Sequence, residues 1–147
     1  MKSYPEKRVS FTFYEADVKA LRRLTLALRD HGLDVLRLDA LRLLIYADSE
    51  AELFSHAALR LKQEAQLPGP KDATVVERAS VTLPKALVDK LGRVADDLAR
   101  KDLDAERTFI IRAALHARHD LKALARAHPK MELEFPDKRT LRKHRRG

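Results

Sequence analysis

The chain is predicted to be mainly α-helical around a two-stranded antiparallel β-ribbon, duplicated about a pseudo-twofold axis. Three observations predict this. The stretch Arg8-Val-Ser-Phe-Thr-Phe13 returns seventy positions later as Arg78-Ala-Ser-Val-Thr-Leu83. Both stretches alternate apolar and polar residues, and both are followed by apolar residues recurring at three and four. The likeness also continues past the strands: residues 8 to 47 and 78 to 117 share thirteen identities in forty positions without a gap, where this composition gives roughly three or four by chance. Two copies at so long a period are too few for a solenoid, so two modules facing each other are expected.

In an extended strand successive side chains point to opposite faces. Val9, Phe11 and Phe13, like Ala79, Val81 and Leu83, therefore share one face, and Arg8, Ser10 and Thr12, like Arg78, Ser80 and Thr82, share the other. The polar face carries hydrogen-bonding groups and one cation per hexamer, with no carboxylate, which suits base edges and phosphates. A generic solvated strand face also carries Thr, Ser and Arg, and Thr12 has the spacing of a capping-box partner for Glu15. Repetition of the same three residues in the same register favours the reading role, because a generic face has no need to repeat its identities.

After each strand the period lengthens. Val18, Leu21, Leu24, Thr25 and Leu28 form the stripe of an amphipathic helix ended by Gly32, and Leu87, Val88, Leu91, Val94, Ala95 and Leu98 form its counterpart, with Pro84 in the first turn. Gly92 costs that helix about 1 kcal/mol of propensity. Asp34 and Asp104 are placed as N-caps of a second helix in each copy, whose apolar residues are Ala40, Leu41, Leu44 and Ile45, and Ile110, Ile111, Ala114 and Leu115. Arg42 and Arg112 are expected to hydrogen-bond at the helix pair.

Between the copies, Ser49 to Glu52 has capping-box spacing, and Leu53, Ala57 and Leu61 continue a helical stripe to about Gln66. Leu67-Pro-Gly-Pro70 breaks it and opens the linker to the second strand. Beyond the second copy, the helix is expected to run through Leu121 and Leu124 to His128 and to stop at Pro129, with Met131 to Phe135 as a packed turn. The boundaries expected are 1–48 for the first unit, 49–77 for the extra helix and linker, 78–128 for the second unit with its extended helix, and 129–147 for a basic tail read as disordered.

The formal charge is +8, and Lys138, Arg139, Arg142, Lys143, Arg145 and Arg146 supply six cations in a stretch with no acid, leaving +2 for everything else. The basic balance is therefore mostly a property of the tail, and the folded body's case rests on the strand face. There is no cysteine, hence no disulfide and no thiolate metal site. Charges at the start replace the apolar run of a secretory signal, and no apolar stretch approaches the ~20 residues of a membrane span; a soluble cytoplasmic protein is expected. With four glycines in all, no phosphate loop, dinucleotide turn or catalytic triad is written here. Neither an enzyme nor a cofactor is expected. His116 and His119 lie three apart on a helix with no evident third ligand, so no metal is expected either.

The run Arg78-Ala-Ser-Val-Thr-Leu-Pro84, a helix, and then Arg107-Thr-Phe-Ile-Ile-Arg-Ala-Ala-Leu115 resembles the ribbon-helix-helix DNA-binding fold, and Arg8 to Ala47 is a looser instance. With both halves in one chain, it resembles the tandem variety found among relaxosome accessory proteins of conjugative DNA transfer, as well as repressors of the Arc and MetJ type. The resemblance covers residues 8–47 and 78–117. It implies that Arg8, Ser10, Thr12, Arg78, Ser80 and Thr82 read bases in the major groove. It further implies that the start of the second helix, at Val35 and Ala105, holds a backbone phosphate through free N–H groups. Asp34 and Asp104 depart from the family's usual Ser or Asn cap and repel a phosphate, which Arg37 and Arg107 in the same turn offset.

The function expected is sequence-specific binding of double-stranded DNA, as a transcriptional regulator or a DNA-transfer accessory, with Arg139, Arg142, Lys143, Arg145 and Arg146 touching phosphates without regard to sequence. Further copies on adjacent sites, and a relaxase, are possible partners. The alternative is an antitoxin-type module that grips a toxin or other protein through its C-terminal extension; a helical scaffold with an incidental ribbon is a third class. No membrane partner is expected.

Overall fold

In the computed structural model, residues 4–47, 54, 58–59, 75–103 and 106–136 are described. The element order is β1 (Glu6–Tyr14), α1 (Glu15–Asp30), α2 (Arg37–Ala47), β2 (Val75–Pro84), α3 (Lys85–Arg100), α4 (Arg107–Leu115) and α5 (Leu121–Glu134). The two strands form one antiparallel two-stranded sheet, so the described part of the chain is mainly helical with a single ribbon. Among the described residues no helix is long and apolar enough to cross a membrane.

The ribbon's apolar face is covered. Val9, Phe11 and Phe13 of β1 and Leu83 of β2 are buried, and the Phe11 and Phe13 rings stack with centroids 6.0 Å apart. The helical stripes lie beneath: Val18, Leu21, Leu24 and Leu28 of α1, and Leu87, Val88, Leu91, Val94 and Leu98 of α3. The second helices are deeper. Every residue from Asp39 to Ile45 of α2 is buried, so the middle of this helix is a core element, with its first turn exposed at Arg37 and Leu38. From the segment between the two copies, Phe54, Ala58 and Leu59 are helical, and Phe54 and Ala58 are buried in the same core; the rest of the expected 49–66 helix and the linker lies outside the described residues.

Helix ends show how closely the copies follow each other. At the end of α1, Gly32 stands at φ +87°; its N–H bonds to the Arg29 carbonyl (2.9 Å), and the Leu33 N–H reaches the Leu28 carbonyl (3.1 Å). That is the Schellman pattern, which closes a helix on a left-handed residue. At the end of α3 the same two bonds run from Asp102 to Ala99 (3.0 Å) and from Leu103 to Leu98 (2.9 Å), with Asp102 at φ +61°. The stop expected at Gly32 is present, and its counterpart is made by a residue that pays a steric penalty there.

Three expectations need correction. Asp34 and Asp104 are not the caps of the second helices. The α2 residues begin at Arg37, the Ala40 N–H bonds to the Leu36 carbonyl, and the Leu36 N–H is taken by the Asp39 carboxylate at 2.8 Å: the acid sits inside the first turn, where it meets both the free amide and the positive helix end. In the second copy the N-cap is Glu106, two residues past Asp104, which lies outside the described residues. Finally, the helix after the second copy breaks at residues 116–120 and restarts as α5, with the Asp120 carboxylate accepting from the Ala123 N–H at 3.1 Å. Pro129 sits inside α5 and does not end it. A proline in a helix interior costs about 3 kcal/mol. Beyond it, α5 and its C-cap bury Met131 and Phe135, each worth about 1.5–3 kcal/mol, so packing outweighs the break.

One buried ion pair joins the first turn of α1 to the second copy. Asp17 is fully buried and accepts hydrogen bonds from Arg112 Nε at 2.6 Å, His116 Nε2 at 2.7 Å and the Tyr14 N–H at 2.9 Å. Because a carboxylate only accepts, the His116 proton is on Nε2. The Arg112 guanidinium also lies over the Tyr14 ring, 4.5 Å from its centroid. Burial pushes the Asp17 carboxyl up, but the hydrogen bonds from His116, Tyr14 and Arg112 together with the Arg112 charge outweigh it, and its pKa is held below 3.8.

Two stability tests follow from these contacts. Asp102→Gly is expected to raise stability by up to ~1 kcal/mol by relieving the left-handed aspartate, and Gly32→Ala to lower it by ~1–2 kcal/mol, since no atom lies within 4 Å of an added Cβ at Gly32 and only backbone strain acts; urea titration reads both. Asp17→Asn is expected to cost about 3 kcal/mol at neutral pH by leaving Arg112 buried against a neutral group. Because the Asp17 value is depressed when folded, its contribution is complete above the unfolded value near 3.8 and is lost as pH falls through the folded value. The stability gap between parent and variant should therefore close in acid; a gap independent of pH down to unfolding would contradict the ion pair.

Candidate nucleic-acid interface

Strand register decides what the uncovered face presents. Arg8 faces Thr82, Ser10 faces Ser80 and Thr12 faces Arg78. The copies are offset by seventy, so Ser10 faces its own counterpart, and the Arg8–Thr82 pair at one end of the ribbon is matched by the Arg78–Thr12 pair at the other. Arg8, Ser10, Arg78, Ser80 and Thr82 are exposed and Thr12 is half-buried. All six residues expected to read bases are thus brought onto one face, with an arginine toward each end and two serine hydroxyls at the centre.

The face is nearly, but not fully, symmetric in detail. Arg8 donates Nε–H to Ser80 Oγ across the ribbon at 2.7 Å, which draws its guanidinium toward the centre, while the exposed Arg78 has no such bond to Ser10. The strand also runs further than the hexamer, adding Glu6 on the same face, cross-strand from Pro84. A carboxylate therefore marks the Arg8 end, which the hexamer alone did not include.

The phosphate-holding expectation is altered. Val35 has no exposed surface, and its carbonyl accepts from Arg29 Nε at 2.8 Å, so it is closed to a phosphate. The first turn of α2 that follows is exposed at Leu36, Arg37 and Leu38, but the Asp39 carboxylate already occupies its positive end. In the second copy Phe109 stands in the place of Asp39, and Glu106 makes no side-chain capping bond. The start of α4, where Glu106 and Arg107 are both exposed, thus carries no such side-chain bond at its cap. Ala105, and the tail residues Arg139, Arg142, Lys143, Arg145 and Arg146, lie outside the described residues.

Behind the face, the repeated arginines serve structure, by different means. Arg112 and His116 hold Asp17. Their counterparts, Arg42 and Tyr46, have no acid to hold, because Leu87 stands where Asp17 stands in the other copy. Instead Arg42 Nη2 donates to the Phe135 carbonyl at 2.9 Å and the Tyr46 hydroxyl donates to the Glu134 carboxylate at 2.8 Å. The end of α5 thus supplies the acceptors. Arg42 Nε is left buried without a partner. Burial, then the hydrogen bond to Glu134 and its negative charge, raises the Tyr46 phenol above 10.0. Lys90, buried in α3, donates to the Ile45 carbonyl at 2.5 Å and so closes the C-terminal end of α2. His119 donates Nε2–H to the Ala114 carbonyl at 2.8 Å; its ring and that of His116 are each turned to protein acceptors.

Sequence reasoning missed Asp17 and Lys90. Both sit at helix positions where the apolar period expects a core residue or Ala, and their counterparts in the other copy are Leu87 and Ala20; that mismatch within the repeat was the available signal. Compared with protein-family models, with curated proteins and with solved structures, the chain shows no match.

Proposed function

We propose that the protein is a sequence-specific double-stranded DNA-binding protein that lays its ribbon in the major groove, built as two ribbon-helix-helix units in one chain related by a pseudo-twofold axis through the Ser10–Ser80 pair. The observation that carries this reading is the exposed face itself: the same Arg, Ser and Thr, twice, in a register that makes one half of the ribbon the counterpart of the other.

The chemistry fits base edges. An arginine reaching guanine O6 and N7 with both arms is a discriminating contact, while Ser and Thr accept from or donate to several bases and discriminate less. With an arginine toward each end, the target is a short, nearly inverted repeat in which guanines flank a less constrained centre. The Arg8–Ser80 bond preorganises one arginine, which favours tight reading of that half. Phosphates are held at the start of α4 with Arg107, and at Arg37 in the first copy. Because both units are tied in one chain, folding and binding of a site need no second copy, although adjacent copies suit a longer regulatory region. A transcriptional regulator and a DNA-transfer accessory both need this activity and no more.

The protein-partner alternative relies on a free C-terminal extension. Up to residue 136 that extension is packed against the body, with Leu124, His128, Met131 and Phe135 buried, which favours the DNA reading.

Selection of bound duplexes from a random pool at about physiological salt should recover a short motif with twofold character. Arg8→Ala and Arg78→Ala should each cost ~1–3 kcal/mol on that motif and relax specificity at one position, the two positions being mirror-related. An equal loss on all sequences, or no motif in the parent, would overturn the base-reading role.

A further inference from the structure

We propose that the cavity between α3 and α5 binds a small amphipathic acid, an anionic group on an apolar body, at the place where the first copy's Asp17 has no counterpart. The inference goes beyond the DNA reading and does not depend on it.

Both α3 and α5 pack on α2, but they make little contact with each other. The gap between them is a cavity of about 500 Å³, within the range of small-molecule sites. Its apolar lining includes Ala86 and Leu87 of α3 and the buried Phe135 at the end of α5. Among its described lining residues, three cations, Lys90, Arg126 and Lys130, stand against one carboxylate, Glu134. That carboxylate already accepts from the Tyr46 hydroxyl at 2.8 Å. Arg126 and Lys130 are exposed and lie four apart on α5, hence on one side of it, and among the described residues no carboxylate is paired with either.

The charge beneath the cavity has the same sign. Lys90 is buried and donates to the Ile45 carbonyl. Arg42 is buried behind Phe135, donates to its carbonyl at 2.9 Å, and leaves Nε without a partner. A carbonyl that accepts from a guanidinium solvates its charge without cancelling it, and low-dielectric walls focus the resulting field into the opening. The repeat shows what would cancel it. In the first copy the buried Asp17 accepts from Arg112 and His116. Seventy positions on, Leu87 stands for Asp17, while Arg42 and Tyr46 stand for Arg112 and His116. Leu87 and Tyr46 both line the cavity, so the opening lies where the second copy lacks an acid. An anionic group entering it meets Arg126 and Lys130 at the rim and the positive interior below, while an apolar body lies against Leu87 and Phe135.

The probe is cinnamate, with the uncharged cinnamamide and inorganic phosphate as controls, titrated into the full chain at fixed salt while backbone amide shifts are followed. Cinnamate is expected to give saturable shifts at the start of α3 and along α5, and cinnamamide to bind roughly tenfold more weakly for want of the charge. Phosphate, which has the charge without the apolar body, should also bind more weakly. The double variant Arg126→Ala/Lys130→Ala changes two exposed side chains and keeps the fold; it should lose roughly tenfold in affinity for cinnamate. Ala86→Leu, at an exposed position of the first turn of α3, should fill the cavity and abolish the shifts while the ribbon's own resonances stay in place. No shift at these amides at millimolar cinnamate would overturn the site. Equal binding of cinnamamide, or no loss in the double variant, would overturn its choice of an anion. Equal binding of phosphate, or cinnamate binding that survives Ala86→Leu, would reduce it to a patch of surface charge and overturn it as well.

Discussion

A two-stranded ribbon exists in water only if one of its faces is covered, since an isolated pair of strands is marginal. Here the cover is Val9, Phe11, Phe13 and Leu83 set on the stripes of α1 and α3, with α2 beneath, buried from Asp39 to Ile45. At about 1.5–3 kcal/mol for each large apolar side chain taken from water, that face stabilises the ribbon and fixes which side remains open. The period-two pattern allows no compromise: slipping one strand by a single residue turns Arg8, Ser10 and Thr12 inward and the phenylalanines outward. Register, core and the polar face are one constraint expressed three ways.

The two copies meet that constraint with different parts. Each second helix projects an arginine and, four residues on, a ring with a polar atom: Arg112 with His116, Arg42 with Tyr46. One pair closes on the buried Asp17 carboxylate. The other, lacking an acid in α1's counterpart, closes on the carbonyl of Phe135 and the carboxylate of Glu134. A buried guanidinium without acceptors is costly, so with Leu at position 87 the last helix becomes part of the fold rather than an appendage. Arg42 Nε is left without a partner in this arrangement.

That exchange makes α5 the partner of the first copy, and Pro136, just past its end, is held by Tyr4, two residues before β1.

Much of this was legible in the residues. The strand hexamers, the stripes of the first helices, the stop at Gly32 and the six-residue polar face lie where alternation and the three-four period place them, because these patterns report local geometry. The register was not legible, since an antiparallel pairing of two copies can be centred on any matched pair, and the structure sets Ser10 against Ser80. The cap at Asp34 was misplaced because an acid stabilises a helix start either as the cap or inside the first turn, and Asp39 was already there; the cap at Asp104 was misplaced because the helix starts later, with Glu106 as its N-cap. Pro129 misled for a different reason: its local cost is real, but the burial of Met131 and Phe135 exceeds it.

By itself, then, the sequence determined the periodic features: which residues alternate, which stripe faces the core, and which six side chains share the open face. Only the tertiary structure decided which buried cation meets which acceptor, that Val35 is buried, and that Pro136 is held by Tyr4. Those outcomes depend on groups far apart in the chain, Arg42 and Phe135 or Asp17 and Arg112, and no periodicity records a distance between residues that never neighbour each other until the core closes.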